Sequence, residues 1–131
     1  MTSPMRIRIS ENEWRSILDI PSSTPPSEVA NFFNKAKRFF CLEQVTLHYI
    51  SIEALQKTQV REVLVQIGQM GQAFPERDLI CTFQSDLGVE EEKRVIVHEL
   101  LHIIGLDEVE ARRWTEPCFL RIKLLWEIAG L

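Results

Sequence analysis

The chain contains few cysteines and no long hydrophobic run. Its 131 residues include only three cysteines, Cys41, Cys81 and Cys118, which lie far apart and form no CxxC pair. An odd number of isolated cysteines favours reduced, packed thiols over a disulfide framework or a thiolate metal site. No segment approaches the ~20 uninterrupted apolar residues of a spanning helix, so we do not expect a membrane protein.

Internal repeats, low-complexity segments and a strong charge of one sign are also missing. A content of 45% hydrophobic and 26% charged residues is typical of a folded soluble domain. The net charge of -4 disfavours a large phosphate-binding surface, and with it a nucleic-acid partner. The N-terminal residues do not resemble a secretory signal, so a cytoplasmic location is expected. We therefore predict a single domain over residues 1–131.

The hydrophobic periodicity predicts an α+β fold that ends in a helical hairpin. Alternation of apolar and polar residues predicts strands at residues 5–9 and 45–50, and a short apolar run predicts another at 78–83. The predicted helices span residues 11–18, 28–40, 51–69, 89–104 and 108–128. Residues 63–67, within the third of these, would also suit a strand.

Local signals set the ends of three of these helices. Ser27 and Asp107 are expected to be N-caps, because their side-chain oxygens can accept from free backbone N–H groups. Gly105 is expected to end the helix over residues 89–104, since glycine adopts the left-handed cap conformation without strain. Pro117 is expected to kink or divide the last helix.

The residues that indicate a chemistry lie in the helix predicted over residues 89–104, which contains His98-Glu99-Leu-Leu-His102. Histidines four apart are separated by one helical turn, about 6 Å along the axis. Both imidazoles therefore project from one face and can bind one cation at roughly 2.0–2.1 Å. Glu99 lies too far round the helix to be a natural ligand, but its carboxylate can lie beside a water bound to that cation. It is therefore predicted to be the general base.

The apolar setting of this motif distinguishes it from a chance match. Between Val95 and Ile104, every residue other than the two histidines and the glutamate is Val, Ile or Leu. Such a helix should be largely buried. Buried imidazoles and a buried carboxyl group are unfavourable unless they are satisfied, and a divalent cation with bound water satisfies them.

The identity of the metal is only partly defined by these ligands. Zinc is expected first, because imidazole and carboxylate ligands with an open position suit it. Manganese, iron, cobalt or nickel would fit the same ligands. His48, the remaining histidine, is in the middle of a predicted strand and is expected to pack there rather than to bind the metal.

The third ligand is left open between two glutamates. Glu108 follows His98 by ten residues and lies just beyond the glycine turn, so we prefer it; Glu110, one turn into the next helix, is the alternative. Asp107 and Glu116 are weaker candidates. Structural roles are also open, since Glu108 would suit the helix dipole and Glu110 could complete a capping box with Asp107.

The segment resembles three groups of metal-dependent hydrolases over about the last third of the chain. His98-Glu-Leu-Leu-His102 is similar to the signature of zincin metallopeptidases, and its extension to Glu108 resembles the metzincin pattern HExxHxxGxxH with glutamate in place of the third histidine. The same stretch is similar to the HxxxHxxGxDH pattern of the YbeY family of bacterial endoribonucleases. Glu108-Val-Glu110-Ala111 is similar to the ExEA segment of small gluzincins and ImmA/IrrE-type peptidases.

The zincin resemblance implies a small mixed sheet backed by helices and a peptidase that acts on a peptide or protein substrate. It implies zinc ligands at His98, His102 and Glu108, with Glu99 as the catalytic base. We expect the strand over residues 78–83 to lie beside the metal and to pair with an extended peptide.

Two other functions remain open. The resemblance to YbeY implies a metal-dependent endoribonuclease, which would need a local basic patch. Two patches are candidates, one of Lys35, Lys37 and Arg38 and the other of Arg112, Arg113 and Arg121. A latent or non-catalytic zinc-binding module is the third hypothesis. Its apolar last helix would cover the metal helix or form a homodimer contact.

Overall fold

The architecture is α+β, and the computed structural model describes residues 9–58 and 70–129. None of the helices in these ranges combines the length and the hydropathy needed to cross a bilayer. The helices are α1 (Glu11–Asp19), α2 (Ser27–Phe40), α3 (Ile52–Gln56), α4 (Val89–Ile103) and α5 (Glu108–Ala129). The strands are β1 (Thr46–Ile50), β2 (Gly71–Phe74) and β3 (Leu79–Phe83), and a 3₁₀ turn (Pro75–Arg77) joins β2 to β3.

The sheet is mixed, and its central strand is β3. The strand order is β1-β3-β2, with β1 parallel and β2 antiparallel to β3. Tyr49, Thr82 and Gly71 stand side by side across the three strands. The backbone of β3 is therefore paired on both sides, so the expectation that residues 78–83 add an extended peptide is wrong.

Helices cover both faces of the sheet. On one face α2, α4 and α5 form the larger core, which includes Val29, Phe32, Val45, Tyr49, Ile80, Ile96, Leu100, Phe119 and Ile122. On the other face α1 packs against the smaller core formed by Ile9, Trp14, Ile17, Ile50, Leu55, Cys81 and Phe83. Because successive residues of a strand point to opposite faces, Ile80 and Cys81 belong to different cores. The metal motif of α4 lies on the side of the larger core.

Several sequence predictions match these elements. The strands predicted at 45–50 and 78–83 are confirmed as β1 and β3, and the helices predicted over 11–18, 28–40, 89–104 and 108–128 correspond to α1, α2, α4 and α5. The predicted strand at 5–9 lies almost wholly outside the described residues. The helix predicted over 51–69 ends as α3 at Gln56, and its part beyond residue 58 also lies outside them.

Three local expectations need correction. Ser27 is the first residue of α2 rather than its cap, because Pro26 occupies the N-cap and makes no side-chain cap hydrogen bond. The last helix is not divided at Pro117, since buried residues on both sides of the proline, Ala111 and Phe119, hold α5 in the larger core. All three cysteines are free thiols, but Cys41 is exposed and occupies the left-handed position that ends α2.

Candidate metal centre

The site lies where α4 turns back into α5. Gly105 has a φ of +104°, and the N–H of Leu106 donates to the carbonyl oxygen of Leu101 across the turn. This arrangement ends α4 through a glycine in the left-handed region, as expected. The two helices run antiparallel. His102, near the end of α4, contacts Glu108 at the start of α5, and Arg94, earlier in α4, contacts Glu116 further along α5.

The sequence of α4 determines which of its faces packs in the core and which faces α5. Ile96, Val97, Leu100 and Leu101 are buried in the core. The histidines at positions 98 and 102 are therefore left half-buried on the side that faces α5. Their ring centroids are 4.8 Å apart, as expected for residues one helical turn apart.

Three side chains converge at this point. The Nε2 atom of His98 lies 2.6 Å from Oε1 of Glu108, and Nε2 of His102 lies 3.2 Å from the same oxygen. The two Nε2 atoms are 3.2 Å apart. With all donor atoms within 4.8 Å of one another, His98, His102 and Glu108 form a group that could hold a metal ion.

The outer nitrogens of both rings are hydrogen-bonded in a way that orients them. The Thr115 hydroxyl donates to the carbonyl oxygen of Ala111 at 2.6 Å, so it accepts from Nδ1–H of His98 at 3.3 Å. Nδ1–H of His102 donates to the carbonyl oxygen of Leu106 at 2.9 Å. Both imidazoles are thereby held with the lone pair of Nε2 directed at the site, which is the tautomer that binds a metal.

The electrostatics of the site favour the protonation states of metal ligands. Burial lowers the pKa of His98, and the nearby Glu108 carboxylate opposes this shift only in part. Burial raises the pKa of Glu108, but the two imidazoles outweigh it, so the net shift is downward. The lowered pKa of each group favours the neutral imidazole and the ionised carboxylate that metal binding requires.

Glu99 is near this group but lies deeper, between α4 and the sheet. Its side chain is only 7% exposed, and its Cγ would be 3.2 Å from a Cβ placed on Gly71 of β2. Burial, together with the charge of Glu108, raises the pKa of Glu99 to about 8. A carboxyl group with this pKa can both accept and return a proton near neutral pH.

Glu108 and Glu110, the two candidates for the third metal ligand, have different surroundings. Glu108 contacts both imidazoles, whereas the carboxylate of Glu110 accepts from the indole N–H of Trp114 at 3.3 Å and from Arg113 at 3.3 Å. Glu110 follows Glu108 by two positions, about 200° round α5, so it faces away from the histidines. The structure brings Glu108 to the site and leaves Glu110 outside it.

The remaining candidates also lie outside the group. Asp107 caps α5, because its carboxylate accepts from the backbone N–H of Glu110 at 2.8 Å. Glu116 pairs with Arg94 at 2.8 Å. His48 lies in β1, as predicted, and is not among the three converging ligands.

Two contributors to the site were not identified from the sequence. Thr115 follows His98 by 17 residues and meets it only because α5 folds back along α4. Gly71 allows β2 to approach Glu99, and no local pattern distinguishes it from an ordinary turn glycine. Both roles depend on contacts between separate elements.

Comparison with protein-family profiles, with curated proteins and with solved structures finds no match to this chain. Its function therefore has to be inferred from the geometry and chemistry of its own residues.

Proposed function

We propose that the chain is a zinc-dependent hydrolase of the metallopeptidase type. The observation that carries the proposal is the convergence of His98, His102 and Glu108 on one point, with the buried carboxyl group of Glu99 beside the first ligand.

The donor set fits zinc in number, chemistry and spacing. Two imidazole nitrogens and one carboxylate oxygen leave an open fourth position, which is typical of catalytic rather than structural zinc sites. Donor atoms at about 2.0–2.1 Å from a tetrahedral ion are about 3.3 Å apart. Two of the three separations are 3.2 Å, so only the 2.6 Å contact between His98 and Glu108 would have to widen. A bound divalent ion would supply Lewis acidity that polarises a carbonyl oxygen and acidifies water.

Glu99 is the residue that would move the proton. As a buried base it would take a proton from the attacking water and return it to the leaving amine. The pKa of about 8 in the metal-free protein keeps the carboxyl group largely protonated at neutral pH, and a nearby cation favours its ionised form. A side chain at position 71 of β2 would crowd Glu99, because an added Cβ there would lie 3.2 Å from Glu99 Cγ.

The proposal is tested by metal analysis and by peptide hydrolysis with the Glu99→Gln variant. The wild type should bind one zinc ion and hydrolyse a mixture of peptides, whereas Glu99→Gln should bind zinc equally and lose hydrolysis. Glu110→Gln is the matched control, because it removes a neighbouring carboxylate outside the group and should keep both properties. Absence of stoichiometric metal would overturn the site, and turnover by Glu99→Gln would remove Glu99 from the role of base.

The peptidase is preferred to the endoribonuclease because several of the basic residues needed for phosphate binding are already engaged. Arg113 pairs with Glu110, and Arg38 lies 4.0 Å from Glu43. Lys37 lies 4.8 Å from the ring centroid of Phe33. The two ion pairs place one acid beside each of the two predicted patches and so lower its net positive charge.

A further inference from the structure

The last helix exposes a row of large apolar side chains. Leu120, Leu124 and Ile128 are 53%, 58% and 79% exposed, and they follow one another at intervals of four residues. Residues at this spacing lie on one side of a helix, which we call the outer face of α5. Leu125, beside this face, is 48% exposed, so the apolar surface extends over more than two helical turns.

The outer face points away from the core. Ile122 is fully buried and precedes Leu124 by two positions, about 200° round the helix. The helix therefore buries one apolar side in the larger core and exposes a second apolar side on the opposite surface. A contiguous exposed apolar surface on a folded chain is typical of a site that meets a partner.

We propose that this partner is a second copy of the chain, whose α5 packs antiparallel against the outer face. The charges at the two ends of the face support this arrangement. Arg113 precedes Leu120 by seven positions and Glu127 follows it by seven, so both lie within about 20° of Leu120 round the helix. In an antiparallel pair centred on Leu120, Arg113 of each copy lies opposite Glu127 of the other, whereas a parallel pair would bring like charges together.

Both charged groups are available for this contact. Glu127 is exposed, and the side chain of Arg113 is 66% exposed. Arg113 contacts Glu110 of its own helix at 3.3 Å, but a guanidinium has several N–H donors and can bind a second carboxylate. Two-fold symmetry forms each contact twice, so one favourable pair of residues stabilises the dimer at both ends of the face.

The outer face suits a protein better than an anionic lipid surface. The basic residues along this side of α5, Arg113 and Arg121, are matched in number by the acidic residues Glu116 and Glu127. A helix that lies on a membrane instead carries an excess of lysine and arginine beside its apolar side.

The proposed dimer leaves the metal group uncovered. Thr115, which contacts His98, precedes Leu124 by nine positions, about 180° round α5. The outer face and the metal group therefore lie on opposite sides of the helix. The dimer does not depend on the proposed function and can be tested without metal.

Sedimentation equilibrium of the full chain tests the dimer. The wild type should reach twice the mass of one chain as the protein concentration rises. Leu124→Glu places a charge in the middle of the outer face and should stay monomeric at the same concentrations. Leu87→Glu is the matched control, because Leu87 is 77% exposed and lies outside α5, and it should dimerise like the wild type. Circular dichroism checks that each variant has the helix content of the wild type.

Exchange of the two charges tests the antiparallel arrangement. Arg113→Glu should weaken the dimer by about tenfold, because it replaces two exposed attractive pairs with two repulsive ones. Glu127→Arg should have the same effect. The double variant restores both pairs with the charges exchanged, so it should dimerise like the wild type.

Four results would overturn the proposal. A wild type that is still monomeric at about 1 mM protein would show that the outer face does not bind a second copy. Equal loss of the dimer in Leu87→Glu and Leu124→Glu would place the contact elsewhere. A double charge variant as weak as the single variants would exclude the antiparallel pair. Binding of the monomeric chain to vesicles of anionic phospholipid, lost in Leu124→Glu, would assign the outer face to a lipid surface.

Discussion

The hydroxyl oxygen of Thr115 lies 3.3 Å from Nδ1 of His98 and accepts a hydrogen bond from Nδ1–H. The hydroxyl cannot donate in this contact, because its own hydrogen is directed at the carbonyl oxygen of Ala111. One side chain of α5 thus determines which nitrogen of a histidine on α4 carries the lone pair. With Nδ1 directed at Thr115, Nε2 of His98 is directed toward Glu108.

Thr115→Val should weaken metal binding, because it removes the hydroxyl and nearly preserves the shape of the side chain. We expect a loss of about tenfold in zinc affinity, as is typical when a hydrogen-bond partner of a metal-binding histidine is removed. Competition with a chromogenic chelator measures this affinity. Thr115→Ser restores the hydroxyl and should bind zinc like the wild type. Equal zinc affinities for the valine and serine variants would show that the hydroxyl has no positioning role.

Glu108→Ala and Glu110→Ala should separate the third ligand from its rival. Removing Glu108 deletes the oxygen that contacts both imidazoles, so stoichiometric zinc should be lost after dialysis. Removing Glu110 disrupts exposed contacts with Arg113 and Trp114, which contribute at most about 1 kcal/mol. Metal analysis of the two purified variants is the measurement. Zinc retained by Glu108→Ala and lost by Glu110→Ala would reverse the assignment.

The free energy of unfolding of the metal-free protein should decrease as the pH rises, because of Glu99. Its pKa of about 8 lies above the usual value of 4.5, so between these values the folded chain holds a proton that the unfolded chain has released. The stabilisation is fully present below pH 4.5 and is lost as the pH rises through 8.

Comparison with Glu99→Gln isolates this contribution, because both proteins retain the titration of His98 and of the other groups. The wild type should lose about 3 kcal/mol relative to the variant between pH 5 and pH 8. Urea unfolding in the presence of a chelator gives the two free energies at each pH. A constant difference between the proteins over this range would contradict the raised pKa.

Gly71→Ala should destabilise the fold at the contact between β2 and α4. The added Cβ would lie 3.0 Å from the carbonyl oxygen of Cys81 and 3.0 Å from Cγ1 of Val95. The backbone oxygen cannot move without shifting β3, so we expect a loss of about 1–3 kcal/mol in the free energy of unfolding. Val95→Ala in the same chain should recover only part of this loss. If Gly71→Ala left the free energy of unfolding unchanged, β2 would be free to move relative to α4.

The helical frame could be predicted because its signals are local. In α2 and α4, apolar residues recur at helical spacing, and Gly105 marks the end of α4. Strand β2 could not be predicted, since Gly71-Gln-Ala-Phe74 lacks alternation and β-branched residues and is a strand because it pairs with β3. Pro117 does not divide α5, because buried residues on both sides of the proline hold one helix in the larger core.

The sequence by itself determined that His98 and His102 share one face, because four residues make close to one turn in any α-helix. The run of Val, Ile and Leu around them also predicted the buried face of this helix, which is formed by Ile96, Val97, Leu100 and Leu101. Only the tertiary structure brought Glu108 rather than Glu110 against the histidines, brought Thr115 to His98, and placed β3 in the centre of the sheet. These features depend on how separate elements pack against each other, and the spacing of residues within one element does not specify that packing.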